Sequence, residues 1–451
     1  VTVLSGVAGE GKSSLVRHWI ADVMPEYWAS GRSKLLQREI PYAPFRTVLS
    51  SLAKLLTAQS FAELERLKVL LTSKLGNRGQ LIVDLCPCFS DVLGPLVVQP
   101  TVPAVHAVVR ANQTLLDTFE VFGSHKKPLV LFIDDLQWAD ESTLSLLHAF
   151  IENPPKNVYL IVAHRTAASS KCDDLIRFLE KIDLAQALNT ETIALKPFSV
   201  ETVAQFLSSK LNMTIAELDE VALLVHLKTA GNPFFIVQIL RALIDDKLLI
   251  FENKHRRWAW LPEEIARHRY ADNVADLMVN RLSRLPIDEL GLMRLASCVG
   301  VKVQEGFLSE LSELEDFEFT KAMKSLIEAG FLMHENQFLN FPHDRIHEAA
   351  YSLTDFDVRP SVHGHIAQAM IRQHGNGGDF SVFEIANHIR WSAIAEYPNE
   401  VSEKLISILM EAATLARNAG AVRQACDYLT SATAVLTCQP DGGGFAFSVK
   451  W

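Results

Sequence analysis

A short apolar run, Val1, Val3 and Leu4, leads into the glycine-rich stretch GVAGEGKSS at 6–14. Apolar positions then recur at helical spacing from Ser14 to Ile20, with Leu15, Val16 and Trp19 available for packing. This pattern predicts strand, tight loop and helix in succession. Helical periodicity returns at Phe45 through Leu56, carried by Val48, Leu49, Leu52 and Leu55, then at Phe61 to about Leu75 and from about Val105 to Phe122. Between these, Gly31 to Lys34 reads as a short loop, and the proline-punctuated Leu81 to Pro103 as irregular packing structure. Leu129 to Ile133 and Asn157 to Ala163 are continuous apolar runs of the kind expected of central parallel strands, with a helix from Glu141 to Phe150 between them. Glu191 to Leu195 reads as a last strand. Strands alternating with helices predict a three-layer α/β core around a parallel sheet.

The second half changes character. Ser199 to Leu211, Leu218 to Leu227 and a segment from Asn232-Pro233 through Ile244 read as three helices of a small bundle. Val274 to Leu285, Leu290 to Cys298 and Phe317 to Ala329 read as helices, followed by a small wing at Phe331 to Phe341, a winged-helix pattern. From Pro360 the pattern is helical throughout, with helices at 363–374, 380–391, 401–419 and 421–436. The last two place Leu405, Leu409, Ala412, Ala413 and Ala416 against Ala425, Tyr428, Leu429, Ala432 and Val435 around Gly420, a pairing of small residues like that of tetratricopeptide hairpins. The expected division is a phosphate-loop core at 1–198, a helical lid at 199–270, a winged helix at 271–358 and a truncated helical-repeat region at 359–451.

Composition supports a well-buried chain: of 451 residues, 49% are hydrophobic and 21% charged, which excludes a disordered polymer. The longest apolar runs are far short of a bilayer crossing, so no membrane span and a cytoplasmic location are expected. A net charge of −10 gives no general attraction to nucleic acid, and Phe317 to Ala329 carries the mixed charges Glu318, Lys321, Lys324 and Glu328 instead of a basic recognition face. Six cysteines, two of them in Cys86-Pro87-Cys88, fit a reducing compartment. Residue 1 is Val and the phosphate loop starts close to it, so the chain reads as cut from something longer, as does its end, GGGFAFSVKW.

The chemistry concentrates in two motifs. Gly6, Gly11, Lys12 and Ser13 stand at the G-x-x-x-x-G-K-S spacing of a phosphate loop, where backbone amides face a triphosphate as a helix begins beneath it. Gly9 keeps the backbone near phosphate unobstructed, Lys12 reaches the β and γ phosphates, and Ser13 ligates magnesium. The second motif, PLVLFIDDLQWAD at 128–140, delivers Asp134 and Asp135 at the C-terminal end of a strand, where open α/β sheets bind ligands. Asp134 is placed to hold the Ser13-bound magnesium through water, and Asp135 to orient and deprotonate the attacking water. Arg165, at the tip of the next strand, is the candidate γ-phosphate sensor.

These stretches, with IPYAPF at 40–45, GNPFF at 231–235 and FPHDRIHEAAYSL at 341–353, resemble the signal-transduction ATPases with numerous domains (STAND), a branch of the AAA+ superfamily. Within that branch they resemble the origin-recognition-like ATPase modules of large regulators that also carry protein kinase or sensor histidine kinase domains. The resemblance implies Gly11, Lys12, Ser13 and Ser14 as phosphate and magnesium contacts, Pro233 as the lid proline on adenine, and His343 as a contact to the β phosphate of ADP in a closed state. The family usually follows its third-strand arginine with Asp and Asn, where this chain has Thr166-Ala167-Ala168 after Arg165.

The expected function is an ATP/ADP-bound, magnesium-dependent switch that passes a signal to the helical tail and through it to protein partners. Slow hydrolysis and a nucleotide-dependent homo-oligomer belong to the same expectation. Two other readings stand beside it. One is a non-hydrolysing scaffold that uses nucleotide for stability, and the other is a transcription regulator that binds DNA through the winged helix.

Overall fold

The computed structural model describes residues 1–94, 104–123, 128–166, 173–184, 190–252, 257–260, 274–374, 380–392 and 401–437. Five strands form one parallel sheet: β1 (Thr2–Gly6), β2 (Tyr27–Arg32), β3 (Leu129–Asp134), β4 (Val158–Arg165) and β5 (Glu191–Ala194). Their order is β2-β3-β4-β1-β5. In this order the phosphate loop after β1 lies two strands from the tip of β3, and β2 brings Arg32 into register with Asp134.

β2 corrects the loop expected at Gly31. Tyr27, Ala29 and Gly31 are buried and alternate with Trp28, Ser30 and Arg32, the period-two pattern of an edge strand, but Ser30 and Gly31 hide it from propensity. Glycine is required at 31 for another reason: a Cβ there would lie 2.1 Å from the Pro44 carbonyl oxygen. The segment expected to be irregular also holds two short helices, Gly79–Leu85 and Ser90–Leu93, while its end at 95–103 lies outside the described residues.

Alternation within the strands builds the three layers. Val130 and Phe132 of β3 join Leu4, Ile161 and Ala163 under Val16 and Ile20 of α1 (Lys12–Val23). Leu129, Leu131 and Ile133 face the other way. They pack in a larger core with α2 (Ala43–Thr57), α3 (Phe61–Leu75), the helix Ala104–Phe122 and the helix Glu141–Glu152. The alternating pattern therefore folds into an α/β phosphate-loop architecture.

The helices Val200–Leu211, Ile215–Thr229 and Pro233–Asp245, at the place of the expected lid, follow, then an unexpected hairpin of Leu249–Glu252 with Arg257–Trp260. Further on, a three-stranded antiparallel sheet orders Lys302–Gln304, Phe338–Asn340 and Met333–Glu335, so the expected wing gains a third strand. Helices Ile287–Val299, Asp316–Glu328 and Asp344–Ser352 pack around it. Val203, Leu218 and Ile239 of the lid and Leu292, Phe319, Leu339 and Ile346 of this unit share one apolar core. The boundary expected between 270 and 271 lies outside the described residues.

The tail is helical at Arg359–His374, Val382–Trp391, Ser402–Asn418 and Val422–Thr437. Its core contains the small residues named above, Ala412, Ala413 and Ala416 against Ala425, Tyr428 and Ala432, and takes in Ile40 and Ala43 from IPYAPF. Gly420 turns the hairpin at φ +79°, and a Cβ on it would meet the Val108 backbone nitrogen at 2.7 Å. The tail is thus seated on the α/β core as well as on itself. The end at 438–451 lies outside the described residues. Among the described residues no single helix is long and apolar enough to cross a membrane.

Candidate functional site

The loop between β1 and α1 is shaped by three left-handed glycines or near-relatives of them, with φ of +155°, +91° and +93° at Gly6, Gly9 and Gly11. Glu10 Oε2 accepts the Val7 backbone N–H at 2.6 Å, closing the loop on itself. Lys12 Nζ donates to the carbonyls of Gly6 at 2.8 Å and Val7 at 3.0 Å, which holds the ammonium over the loop. Burial lowers the pKa of that ammonium, and Asp135 and Asp134 oppose the shift. A Cβ at Gly11 would meet nothing within 4 Å, whereas one at Gly9 would lie 2.6 Å from Asn232 Oδ1.

That clash shows where the lid touches the loop. Asn232 Nδ2 donates to the Ala8 carbonyl at 2.9 Å, and the Phe234 backbone N–H to the Gly9 carbonyl at 3.2 Å. Asn232 also caps its own helix by accepting from the Phe234 N–H, with Pro233 at the first helical position where no donor is required. GNPFF is therefore more than a turn between helices. It clamps the phosphate loop.

The acidic pair stands opposite. Ser13 Oγ donates to Asp134 Oδ2 at 2.5 Å. Asp135 adopts a left-handed φ of 56°, unusual for a residue with a Cβ, and accepts from Gln137 Nε2 at 2.6 Å. Burial and the neighbouring Asp135 push the Asp134 carboxyl up. Burial works the same way on Asp135, but Arg32 and Arg165 outweigh it and hold that carboxyl down at about 2. One acid of the pair thus favours the proton and the other the charge.

Two arginines complete this end. Arg32 Nε donates to Asp135 Oδ2 at 2.7 Å and its Nη2 to Asp344 Oδ2 at 2.6 Å. Arg165 places Nη2 3.0 Å from the same Asp344 oxygen, Nη1 3.2 Å from Glu348 and Nε 3.5 Å from Asp135, and its backbone N–H donates to Gln137 Oε1. Asp344 and Glu348 belong to the helix that starts at FPHD, so the core and the wing unit meet in a buried ionic cluster. Burial, then the charge of Asp135, pushes the Asp344 carboxyl up to about 7. His343 stacks on Phe234 with ring centroids 3.9 Å apart, and its Nδ1 accepts the Arg345 N–H, leaving Nε2 as the donor. Burial, then Arg32 and Arg165, pushes its pKa down to about 3, so the ring is neutral near pH 7.

The loop, the acidic pair, both arginines, Phe234 and His343 line one cavity of about 590 Å³, a size that suits a small-molecule ligand. Of the residues expected from sequence, Gly9, Gly11, Lys12, Ser13, Ser14, Asp134, Asp135, Arg165, Pro233 and His343 all line it, and Gly6 lies beneath as a carbonyl partner of Lys12. Arg32 and Gln137 were missed. Gln137 sits inside the DDLQWAD motif, and Arg32 closes the alternating strand YWASGR, which was the signal available.

The donor set suits a magnesium nucleotide. A hydroxyl and a carboxylate in contact beside a phosphate loop are the groups with which proteins hold magnesium that is also bound by phosphates.

Residues 1–163 match the AAA ATPase domain family. The chain is 23% identical over 398 residues to hybrid signal transduction histidine kinase G of Dictyostelium discoideum, covering 74% of this chain and 11% of that protein. Among solved structures it is similar to a STAND protein with a tetratricopeptide repeat sensor from Pyrococcus horikoshii, at 13% identity and a TM-score of 0.49, over 97% of this chain and 56% of that one. A Walker-type ATPase of Pyrococcus abyssi gives 13% identity and a TM-score of 0.31, over 77% of this chain and 90% of the other. Residues 1–163 thus carry an AAA ATPase domain, and its loop and acidic pair meet Pro233 of GNPFF and His343 of FPHD at one cavity.

Proposed function

We infer that this module is an ATP/ADP switch in signal transduction, hydrolysing ATP slowly with magnesium and relaying the state of its site through the wing unit to the helical tail. The observation that supports this best is the convergence of three parts of the chain on one cavity: the loop at Gly9, the lid at Pro233 and the wing unit at His343. A ligand held there touches all three, so its presence and its charge bear on their placement.

In this reading the backbone amides of Gly9 and Gly11 and the Ser14 N–H receive phosphate, Lys12 leaves the Gly6 and Val7 carbonyls to reach it, and Ser13 and Asp134 hold magnesium. Bound magnesium would neutralise charge on the β and γ phosphates. Pro233 lies against the base, and the neutral His343 offers its Nε2–H to a phosphate oxygen. Asp135, ionised and aimed by Gln137, takes the proton of the attacking water. Its engagement with Arg32 keeps it occupied, which favours slow turnover. Arg165 ties the site to the wing unit through Asp344 and Glu348.

The four-part division, with a core at 1–198, lid at 199–270, winged helix at 271–358 and repeat-like tail at 359–451, belongs to this proposal. So do protein partners of the tail, a cytoplasmic location and attachment to kinase or histidine kinase domains in a longer protein. The chain spans about a tenth of the length of its curated relative. Single-turnover hydrolysis of ATP with and without magnesium, in the native chain and in Asp135→Asn, tests the reading. Magnesium-dependent turnover that falls at least about 100-fold in the variant supports it, and equal turnover leaves a nucleotide-stabilised scaffold instead.

A further inference from the structure

Arg32 was not anticipated, and its surroundings differ from those of Arg165 in a way that separates their roles. Arg165 is committed on every side: all three guanidinium nitrogens face carboxylates, the backbone N–H is bonded to Gln137, and 9% of the side chain is exposed. Arg32 touches Asp135 and Asp344 through Nε and Nη2, and 34% of its side chain is open, on the wall of the same cavity as Lys12 and Ser13. Among the described residues its Nη1 has no hydrogen-bond partner. It rises from the C-terminal end of the edge strand β2, beyond β3, while Lys12 comes from the loop on the far side of β3 and β4. The acidic pair lies between these two cations.

A phosphate bound by Lys12 and the loop therefore extends its terminal group toward Arg32. We propose that Arg32 is the residue that distinguishes triphosphate from diphosphate: its guanidinium exchanges Asp344 for oxygens of the γ phosphate, while Arg165 remains a structural strut to the wing unit. The exchange is of like for like, because an arginine fork accepts carboxylate and phosphate oxygens in the same geometry. A diphosphate stops short of the fork and leaves the Arg32–Asp344 contact in place. The γ-phosphate sensing expected at Arg165 on β4 thus moves across β3 to the edge strand β2. This assignment rests on the nucleotide reading above and names which side chain performs one part of it.

The test is a titration of the purified chain with magnesium ADP and with a magnesium ATP analogue whose β,γ bridge resists hydrolysis. The native chain, Arg32→Gln, Arg32→Lys and Arg165→Gln are compared by the ratio of the two affinities. We expect Arg32→Gln to weaken the analogue about 30-fold and ADP no more than about 3-fold. Arg32→Lys, which keeps charge but not the fork and is the gentler substitution in the buried cluster, should weaken the analogue about 5-fold. Arg165→Gln should leave the ratio unchanged. A native chain that binds both nucleotides, with an unaltered ratio in both Arg32 variants, overturns the assignment and leaves the nucleotide reading standing. A ratio that shifts only in Arg165→Gln overturns it as well. A native chain that binds neither nucleotide defeats the nucleotide reading itself, and the assignment with it.

Discussion

Asn232 donates its side-chain amide to the carbonyl of Ala8 at 2.9 Å, a buried hydrogen bond across 224 residues of sequence that holds the phosphate loop together with the Phe234 N–H on the Gly9 carbonyl. The same side chain caps the helix beginning at Pro233. Asn232→Ala loses both bonds. A lost cap costs about 1 kcal/mol, and a loop no longer pinned pays more ordering entropy on binding. Nucleotide affinity, followed by titration, is expected to fall about 10-fold, with the melting temperature lowered by a few degrees.

The last aspartate of DDLQWAD has a structural task. Asp140 accepts the Thr143 N–H at 2.9 Å, capping the following helix, and the Tyr42 N–H at 3.0 Å, where Tyr42 takes a left-handed φ of 55°. It joins the acidic loop to IPYAPF, whose Ile40 and Ala43 enter the tail core. Asp140→Ala leaves a buried N–H of Tyr42 unpaired, and the expected cost is about 2–4 kcal/mol in chemical denaturation. Nucleotide affinity of the folded fraction should stay within about 2-fold, because Asp140 is absent from the cavity wall.

Gly31→Ala tests why β2 carries a glycine. The added methyl would stand 2.1 Å from the Pro44 carbonyl oxygen, a backbone atom that cannot turn aside. Separating β2 from α2 is expected to cost about 2 kcal/mol or more, read as a lower denaturation midpoint. Since Arg32 follows directly, the same variant should also lose preference for the triphosphate.

Three buried histidines, His347, His363 and His388, set an acid limit on the C-terminal half. Burial holds them down at about 4, about 4 and about 3, against 6.5 in the unfolded chain. Each contributes stability that is complete above pH 6.5 and is lost as pH falls from there toward 4, at up to about 1.4 kcal/mol per pH unit. Asp344, pushed up to about 7, works in the opposite sense, since its protonated form is favoured in the folded chain between pH 3.8 and 7. The histidines outnumber it, so urea midpoints should fall between pH 6.5 and 5. His363 Nδ1 lies 3.0 Å from His388 Nδ1, and replacing both by Phe should remove most of that slope.

Much of this was legible because the motif residues announce themselves. Lys12, Ser13, Asp134 and Asp135 follow from spacing and from one apolar run, and the small residues around Gly420 foretold the tail hairpin. Pro233 and His343 were readable through family resemblance alone, since an Asn-Pro turn and a single histidine carry no chemistry by themselves. What escaped was held in tertiary pairing. β2 is an edge strand whose Ser30 and Gly31 lack β propensity, so Arg32 read as loop. The Asp344 and Glu348 contacts with Arg165 join residues some 180 positions apart, and no local pattern encodes them.

The measurement that bears most directly on the whole account is nucleotide content and turnover of the purified chain, native beside Lys12→Ala. The native chain should carry about one ATP or ADP, released on denaturation, and turn ATP over slowly with magnesium, and Lys12→Ala should carry about a tenth of that and turn over none. Equal content and equal turnover in the two chains would contradict the account.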